Sequence, residues 1–367
     1  MEKMIGKKEI TQFQLIFLLI QCQVGVNVVT LPFDVFMKAK GDSWISVLLT
    51  GVIIQIMIFL IWALMRRFPS SNLYGIVQSL FGKFIGKMIV ILYSMYFIAI
   101  GSLVLTKFAY ILNTWMMPLT PKWLLLVLMA FTAVYIVKEN LQLMARFFVL
   151  SSVVLIGFIS LAAYSLQDAN PTFILPVGTN GVLPVIQGME PSLYAFQGFE
   201  ILMILYPFVQ SDKKGVLKAA TITNIFVTLF YSFLVITSLL FFSPEEFKLV
   251  PEPVLYLIKA FSFRIIERPD LLFTSMWIIL VATTFMNTLY ASSLGLSCVM
   301  NSKKITIFVI IAACICFLLA MTLHGKYDIA SVSKVHNLFM FPFAFGLPIL
   351  FLLISIIFNK KEQGNSG

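Results

Sequence analysis

Long apolar stretches alternate along the chain with short segments that hold most of the charged residues. A transmembrane helix requires about 20 apolar residues, and stretches near that length recur about ten times. The pattern predicts an all-α membrane protein with about ten transmembrane helices, in a single transmembrane domain over residues 1–367. The predicted spans are Phe13–Met37, Trp44–Met65, Met88–Leu112, Trp123–Val137, Phe147–Leu166, Pro184–Val209, Ala219–Phe242, Leu271–Met300, Ile305–Leu323 and Leu338–Phe358.

The spans are expected to form two five-helix repeats. The first repeat covers residues 1–166 and the second covers residues 184–358, followed by a cytoplasmic tail at residues 359–367. The first and sixth spans are then equivalent members of the two repeats. A feature that both of them share therefore says more about function than the same feature in one span.

The positions of Lys and Arg predict the orientation in the membrane. With the amino terminus in the cytoplasm, sixteen of the 26 basic residues fall in cytoplasmic segments. Cytoplasmic loops of membrane proteins carry an excess of Lys and Arg. We therefore expect a multi-pass membrane protein with both termini in the cytoplasm, which an even number of spans allows.

Two loops carry helical patterns of their own. Pro69 to Asn72 resembles a helix start, and the apolar positions that follow on the inner side are Leu73, Ile76, Val77, Leu80 and Phe84. On the outer side the apolar positions are Val254, Leu257, Ile258, Phe261 and Ile265, beside Lys259, Arg264 and Glu267. We interpret both as short surface helices that pack or contact lipid, with docking of partner proteins as the alternative.

The first span contains residues that favour an interrupted helix. Gly25 has little steric restriction and Asn27 tolerates left-handed backbone. Pro32 lacks an N–H and disturbs the preceding turn. Unwound backbone persists in a membrane only where it faces protein or a wet cavity, so we predict a break near mid-depth that includes Val26.

The sixth span has a matching feature around Gln197, Gly198, Phe199 and Glu200. A carboxylate inside a membrane is costly and normally has a partner or a role. Glu200 is therefore a candidate ligand contact, with two alternatives: an ion pair with Lys107 of the third span, or a cap on an inner helix end.

Interrupted helices at matching positions of inverted repeats indicate a transporter-type binding site. The free N–H groups of a half-helix attract a carboxylate, and exposed carbonyls, with Glu200, attract an ammonium group. We predict a small polar ligand between the two breaks. The alternative is that these Gly and Pro residues only permit close helix packing.

The eighth and third spans supply further candidate wall residues. Thr284, Asn287 and Thr288 share one helix face at spacings of three and four, where they either line the cavity or join helices by hydrogen bonds. In the third span the candidate lining residues are Tyr96, Ile100 and Gly101.

Composition excludes several classes of function. With 60% hydrophobic and 11% charged residues, the chain is too apolar for a soluble domain. The net charge of +10 lies in short loops, so no nucleic-acid binding is expected. No histidine is expected within a span, and the cysteines show no metal-ligand spacing. We therefore predict no catalytic residue, no metal site and no cofactor; the cysteines are Cys22, Cys298, Cys314 and Cys316.

At these residues the chain resembles the B-subunits of spore germinant receptors, the endospore germination permeases of the amino acid–polyamine–organocation transporter superfamily. The resemblance covers nearly the whole chain. Its strongest pieces are Gly25-Val26-Asn27 leading to Thr30-Leu31-Pro32, Pro69-Ser70 through Gly82-Lys83 and Gly86-Lys87, and Phe196-Gln197-Gly198-Phe199-Glu200 leading to Pro207 and Lys213-Lys214.

The resemblance implies a LeuT-like fold of two inverted five-helix repeats with broken first and sixth helices, and a place in the spore inner membrane. It implies partners, namely membrane lipid, a receptor A-subunit and a C-subunit lipoprotein. The germinant of the family is commonly a small amino acid. The family's ligand contacts map onto Gly25, Ile100, Gln197, Gly198, Thr284 and Thr288.

Two departures make the implied pocket more polar. Asn27 stands where the superfamily often has a second glycine, and Gln197 places an amide where an apolar residue is usual. A larger polar amino acid, a sugar or a nucleoside is therefore also considered. Three functions compete: a germinant-sensing permease-like subunit, a secondary amino acid transporter coupled to protons through Glu200, and a scaffold subunit with a vestigial cavity. For the first, Gly25→Phe or Gly198→Phe is expected to block sensing and leave assembly intact.

Overall fold

The computed structural model describes residues 9–179, 181–261, 267–323 and 325–362, which are mostly helical. Two short strands are present, β1 (Ile10–Thr11) and β2 (Val209–Gln210). The helices are α1 (Gln12–Gln23), α2 (Leu31–Ala39), α3 (Ser43–Arg67), α4 (Leu73–Trp115), α5 (Lys122–Val137), α6 (Leu141–Ser151), α7 (Val153–Tyr164), α8 (Val182–Ala195), α9 (Leu202–Leu205), α10 (Lys213–Phe241), α11 (Pro244–Phe247), α12 (Pro253–Lys259), α13 (Pro269–Val299), α14 (Ile305–Thr322), α15 (Lys326–Met340) and α16 (Leu347–Ile357).

Seven helical segments of the described chain are long and apolar enough to cross a membrane. They are Leu31–Arg67, Leu73–Trp115, Leu141–Asp168, Lys213–Phe241, Pro269–Val299, Ile305–Thr322 and Lys326–Ile357. Three shorter apolar helices, Gln12–Gln23, Lys122–Val137 and Phe199–Phe208, occupy other predicted spans. The all-α membrane architecture is thus confirmed.

Both predicted interruptions are present. The first predicted span consists of α1, a 3₁₀ turn at Val26–Val29 and α2. The sixth consists of α8, a 3₁₀ turn at Phe199–Ile201 and the short α9. Helix α1 packs on α10, α6 and α13, while α2 packs on α8, so the two broken spans lie together inside the bundle.

The inner-loop helix is continuous with the third span as α4. Asn72 caps it, because its Oδ1 accepts a hydrogen bond from Gly75 N at 3.1 Å, and its first four apolar positions are buried as expected. Phe84, however, is 80% exposed. Gly82 bends the helix, with φ of 79°, a conformation that favours glycine. Phe84 follows the bend and therefore does not continue the buried face formed by the four positions before it.

Of the two roles expected for the outer-loop helix α12, packing and lipid contact, its described apolar positions show packing. Val254, Leu257 and Ile258 are buried, because α12 packs against α13, α10 and α7. Its apolar stripe therefore faces the protein. Arg264 and Ile265 lie outside the described residues.

The last span begins earlier than predicted. Helix α15, a π-helical turn at Phe341–Gly346 and α16 form one segment, Lys326–Ile357. His336 therefore lies in a span, where it is buried, and the prediction that no span holds a histidine was wrong. The polar residues of α15 lower its hydropathy, and the sequence pattern for that reason resembled a loop.

One end of the bundle is closed by a short sheet that joins the start of the described chain to a segment from its middle. Strand β1 pairs in parallel with β2, with Ile10 opposite Val209 and Thr11 opposite Gln210. Because β1 leads into α1 and β2 follows α9, this pairing joins the two broken spans at that end of the bundle.

The carboxyl-terminal segment crosses the same end of the bundle. Glu362 Oε2 accepts a hydrogen bond from Ser70 N at 2.8 Å, and Glu362 N donates to Arg67 O at 2.9 Å. Arg67 Nη2 donates to Ser355 O at 2.7 Å, and Lys360 Nζ donates to Leu80 O at 2.8 Å. These bonds hold α16 against the α3–α4 turn.

Glu362→Ala is expected to release this segment with little global effect, about 1 kcal/mol or less, because exposed charged contacts contribute little. Hydrogen exchange at Ser70 and Glu362 should become faster while the unfolding temperature stays nearly constant. Lys361→Ala is the matched control, since Lys361 is exposed. Equal exchange in both variants would contradict the role of the Glu362 carboxylate.

Candidate ligand site

A cavity of about 570 Å³ lies between the two broken spans and helices α4, α13 and α15. This volume is typical of small-molecule sites. Its wall combines aliphatic side chains of α4 with polar groups from the breaks. Nine residues predicted from the sequence line it, namely Gly25, Val26, Asn27, Ile100, Gln197, Gly198, Glu200, Thr284 and Thr288.

Two other predicted site residues do not line this cavity. Phe199 is buried, with its ring centroid 5.4 Å from that of Phe345. Asn287 is also buried, and its Nδ2 donates to Leu18 O at 3.3 Å. Asn287 therefore joins α13 to α1, as in the helix-packing alternative. Gly101, on α4, packs near Thr288 and Cys316 outside the lining.

The first break leaves three backbone donors free. Val24 N still bonds to Ile20 O, at 2.7 Å, and Val28 N bonds to Gly25 O at 3.3 Å. Between them, the N–H groups of Gly25, Val26 and Asn27 have no acceptor among the described residues. Adjacent free N–H groups bind anions readily.

Gly25 lies very close to α13. A Cβ at this position would be 2.3 Å from Thr284 Oγ1, so a side chain there would meet α13. Thr284 Oγ1 itself donates to Gln21 O at 2.9 Å, which satisfies a carbonyl at the end of α1. The absence of a side chain on Gly25 thus permits this helix contact.

The second break contacts the first through its backbone. Gly198 has φ of 117°, in the left-handed region that favours glycine. A Cβ there would lie 2.9 Å from Cys22 O and 2.9 Å from Cys22 Sγ. The two interrupted segments therefore touch each other at Gly198 and Cys22.

Glu200 binds the chain's own backbone and does not pair with Lys107. Its Oε2 accepts a hydrogen bond from Gly198 N at 2.8 Å, and its Oε1 accepts one from Tyr96 OH at 3.1 Å. The side chain is fully buried. Glu200 thus satisfies a backbone donor of the second break. Of the roles considered from the sequence, this contact is most similar to that of a helix cap.

Lys107 bonds to the first break instead. Its Nζ donates to Asn27 Oδ1 at 2.9 Å, and Asn27 Nδ2 donates to Tyr194 O at 3.3 Å. Asn27 therefore connects α4 to α8 across the cavity.

A chain of polar contacts leads from Glu200 to α15. Gln197 Nε2 donates to Tyr96 OH at 2.8 Å, and the Nε2 atoms of Gln197 and His336 are 3.1 Å apart. The His336 ring stacks on Tyr96, with centroids 5.8 Å apart and planes inclined by 15°. His336 was not among the residues predicted from the sequence, where its only signal is a histidine two residues before the apolar run that begins at Leu338.

Charged side chains of both signs also line the cavity. Glu252, in the loop before α12, is buried, and this burial raises the pKa of its carboxyl group. The described residues contain no group of three His, Cys, Asp or Glu side chains able to hold a metal ion. Besides Glu200 and Lys107, the charged lining residues are Asp34, Lys38, Glu190, Glu252, Lys326 and Lys334.

Sequence comparison relates the chain to proteins of spore germination. A family model described as spore germination protein matches residues 9–329. The chain is 29% identical over 359 residues to spore germination protein YndE of Bacillus subtilis (strain 168), covering 97% of this chain and 98% of the relative. It is 26% identical over 350 residues to spore germination protein GerQB of Bacillus cereus, covering 94% and 95%.

Structure comparison relates the fold to LeuT-like transporters. Mhp1, a nucleobase-cation-symport-1 family transporter solved closed with bromovinylhydantoin bound, aligns with a TM-score of 0.69 at 13% identity, over 93% of this chain and 77% of Mhp1. MhsT in complex with L-phenylalanine also aligns with a TM-score of 0.69 at 13% identity, over 97% of this chain and 91% of MhsT. At this identity the likeness shows the fold alone.

Proposed function

We propose, because this chain belongs to the spore germination protein family, that it is the germinant-sensing, permease-like subunit of a spore germination receptor. It binds a small ligand between the broken helices and thereby triggers germination. Its ligand contacts are Gly25, Val26, Asn27, Ile100, Gln197, Gly198, Glu200, Thr284 and Thr288.

One observation supports this proposal above the others. The two interrupted helices touch each other at Gly198 and Cys22 and border a cavity with free N–H groups on one side. Free donors inside a membrane are costly, and a polar ligand would satisfy them. A packing role for the glycines alone does not account for these free groups.

Sensing requires that the ligand favour one packing of the helices over another, because a ligand shifts an equilibrium only through differential affinity. Gln197 and Asn27 each connect elements across the cavity, to α15 and α8 respectively. A ligand that draws these side chains together would stabilise a closed arrangement, and partner subunits would respond to that arrangement.

The cellular arrangement is part of the same proposal. The chain is placed in the spore inner membrane with both termini in the cytoplasm, in complex with an A-subunit and a C-subunit lipoprotein. The transmembrane domain comprises repeats at residues 1–166 and 184–358, and a tail at residues 359–367.

A second candidate function is secondary transport, because the fold is that of transporters such as Mhp1 and MhsT. In proteoliposomes, a sensor would bind ligand saturably without accumulating it. Accumulation against a gradient by this chain alone would instead assign transport.

A cavity-filling variant tests the proposed site. Ile100→Trp is expected to raise the germinant concentration needed for response by about 10- to 100-fold, because overpacking costs about 1–3 kcal/mol. Germination of spores that carry the variant, with protein levels checked by immunoblot, measures this. The matched control is Met95→Trp on the outside of the same helix, where the side chain is 61% exposed. Equal responses of both variants would remove the cavity as the sensing site.

A further inference from the structure

Lys107 places a basic side chain in the wall of the cavity and forms no salt bridge within the described part of the chain. It lies within the membrane-spanning segment Leu73–Trp115 and lines the cavity. Its Nζ bonds to the Asn27 amide at 2.9 Å, but no carboxylate oxygen of the described residues lies within 4.0 Å. A charge at this depth normally has a counter-charge, so an anionic group of the ligand would complete the site.

The first break adds donors beside Lys107. The free N–H groups of Gly25, Val26 and Asn27 belong to the segment whose Asn27 side chain accepts from Lys107. The second break offers fewer free donors, because the N–H of Gly198 already donates to Glu200 Oε2 at 2.8 Å. The structure therefore places its anion-attracting groups at the first break and on α4.

Asp34 supplies the opposite charge in the same cavity. It lies on α2, one turn after Thr30, and is exposed to the cavity that it lines. Lys107 and Lys326 line the same cavity and lie near enough for their charges to act on Asp34. No basic nitrogen of the described residues approaches the Asp34 carboxylate within 4.0 Å. A gap thus separates Lys107 from Asp34.

We propose that Lys107 and Asp34 form a divided ion pair that recognises the two charges of a small zwitterion. The ligand's carboxylate binds Lys107 and the N–H groups of the first break, and its ammonium group binds Asp34. This inference rests on the proposed function and specifies its ligand class. An uncharged sugar or nucleoside would leave both charges without a ligand partner, which is costly for charged groups at the depth of a membrane span.

The test uses ligand analogues that lack one charge. Full-length protein in lipid nanodiscs is titrated calorimetrically with L-alanine, L-asparagine and L-phenylalanine, with their carboxamides and with the corresponding carboxylic acids that lack the amino group. Glucose and adenosine represent uncharged ligands. The wild type should bind at least one amino acid about tenfold or more tightly than either of its analogues, because charged hydrogen bonds contribute most.

Two variants assign each charge. Lys107→Met should abolish the preference for the amino acid over its carboxamide and retain the preference over the deaminated acid. Asp34→Asn should show the reverse pattern, and Lys218→Met, which removes an exposed charge outside the cavity, should retain both preferences. If the two residues only pair with each other in another state, both variants would change affinity for all probes equally, which would overturn the inference.

Failure of the inference and of the proposed function give different results. Binding of glucose or adenosine in place of amino acids, or equal binding of an amino acid and its carboxamide, overturns the divided ion pair and leaves a sensing site. No binding of any probe, together with normal nutrient responses of spores lacking the chain, overturns the proposed function itself.

Discussion

Gly198→Ala is expected to destabilise the protein more than any other single methyl addition at the site. Left-handed backbone costs a non-glycine residue about 1–3 kcal/mol, and Gly198 has φ of 117°. In addition, the new Cβ would meet Cys22 O at 2.9 Å. Because that obstacle is backbone, the two breaks must separate. Thermal unfolding in detergent should show a lower unfolding temperature, gel filtration should show whether the protein remains dispersed, and ligand titration should show lost binding.

Controls separate backbone strain from the clash. Gly178 also has positive φ, 80°, but its Cβ would meet nothing within 4 Å. Gly178→Ala should therefore cost only the strain. At Gly25 the obstacle is the Thr284 side chain, so Thr284→Gly should rescue Gly25→Ala. Cys22→Ala should not rescue Gly198→Ala, and a full rescue would refute the backbone contact.

This geometry changes the expectation for Gly25→Phe and Gly198→Phe. From the sequence, both were expected to fill the cavity and leave assembly intact. A side chain at Gly198 runs into the backbone of Cys22, and one at Gly25 runs into Thr284. Both substitutions would therefore disturb the helix packing, and Ile100→Trp is the more selective probe of the cavity.

Glu200→Leu is expected to be strongly destabilising, whereas Glu200→Gln should be tolerated. Leucine would leave Gly198 N–H without its acceptor and Tyr96 OH without a group to which it can donate. Each buried polar group left unsatisfied costs about 1–3 kcal/mol, about 2–6 kcal/mol in total. Glutamine keeps an acceptor for Gly198 N–H, and Tyr96 OH can reorient. Unfolding temperature and ligand affinity measure both variants.

The pair of Glu200 variants also separates structural from proton-coupling roles. A structural Glu200 predicts that Glu200→Gln keeps both binding and germination. If Glu200 couples transport to protons, Glu200→Gln would keep binding in proteoliposomes but lose accumulation. Equal damage from Gln and Leu would show that the carboxylate charge itself is required, contrary to the hydrogen-bonding role assigned here.

The sequence alone determined the membrane class, the position of most helices and the two interruptions. Apolar runs of sufficient length have one stable solution in lipid, since helices satisfy their own backbone groups. Gly25, Asn27, Pro32 and Gly198 interrupt those runs by local conformational preference. These are short-range effects, and they are visible in the order of residues.

Only the tertiary structure decided which polar groups meet. Glu200 binds Gly198 and Tyr96 and not Lys107, Asn287 joins α1, and His336 reaches Gln197 from a span that resembled a loop. Each partner lies on a different helix, and its distance depends on how helices far apart in sequence pack together. Helical periodicity assigns a residue to a face, but the rotation and depth of the neighbouring helix determine what that face contacts.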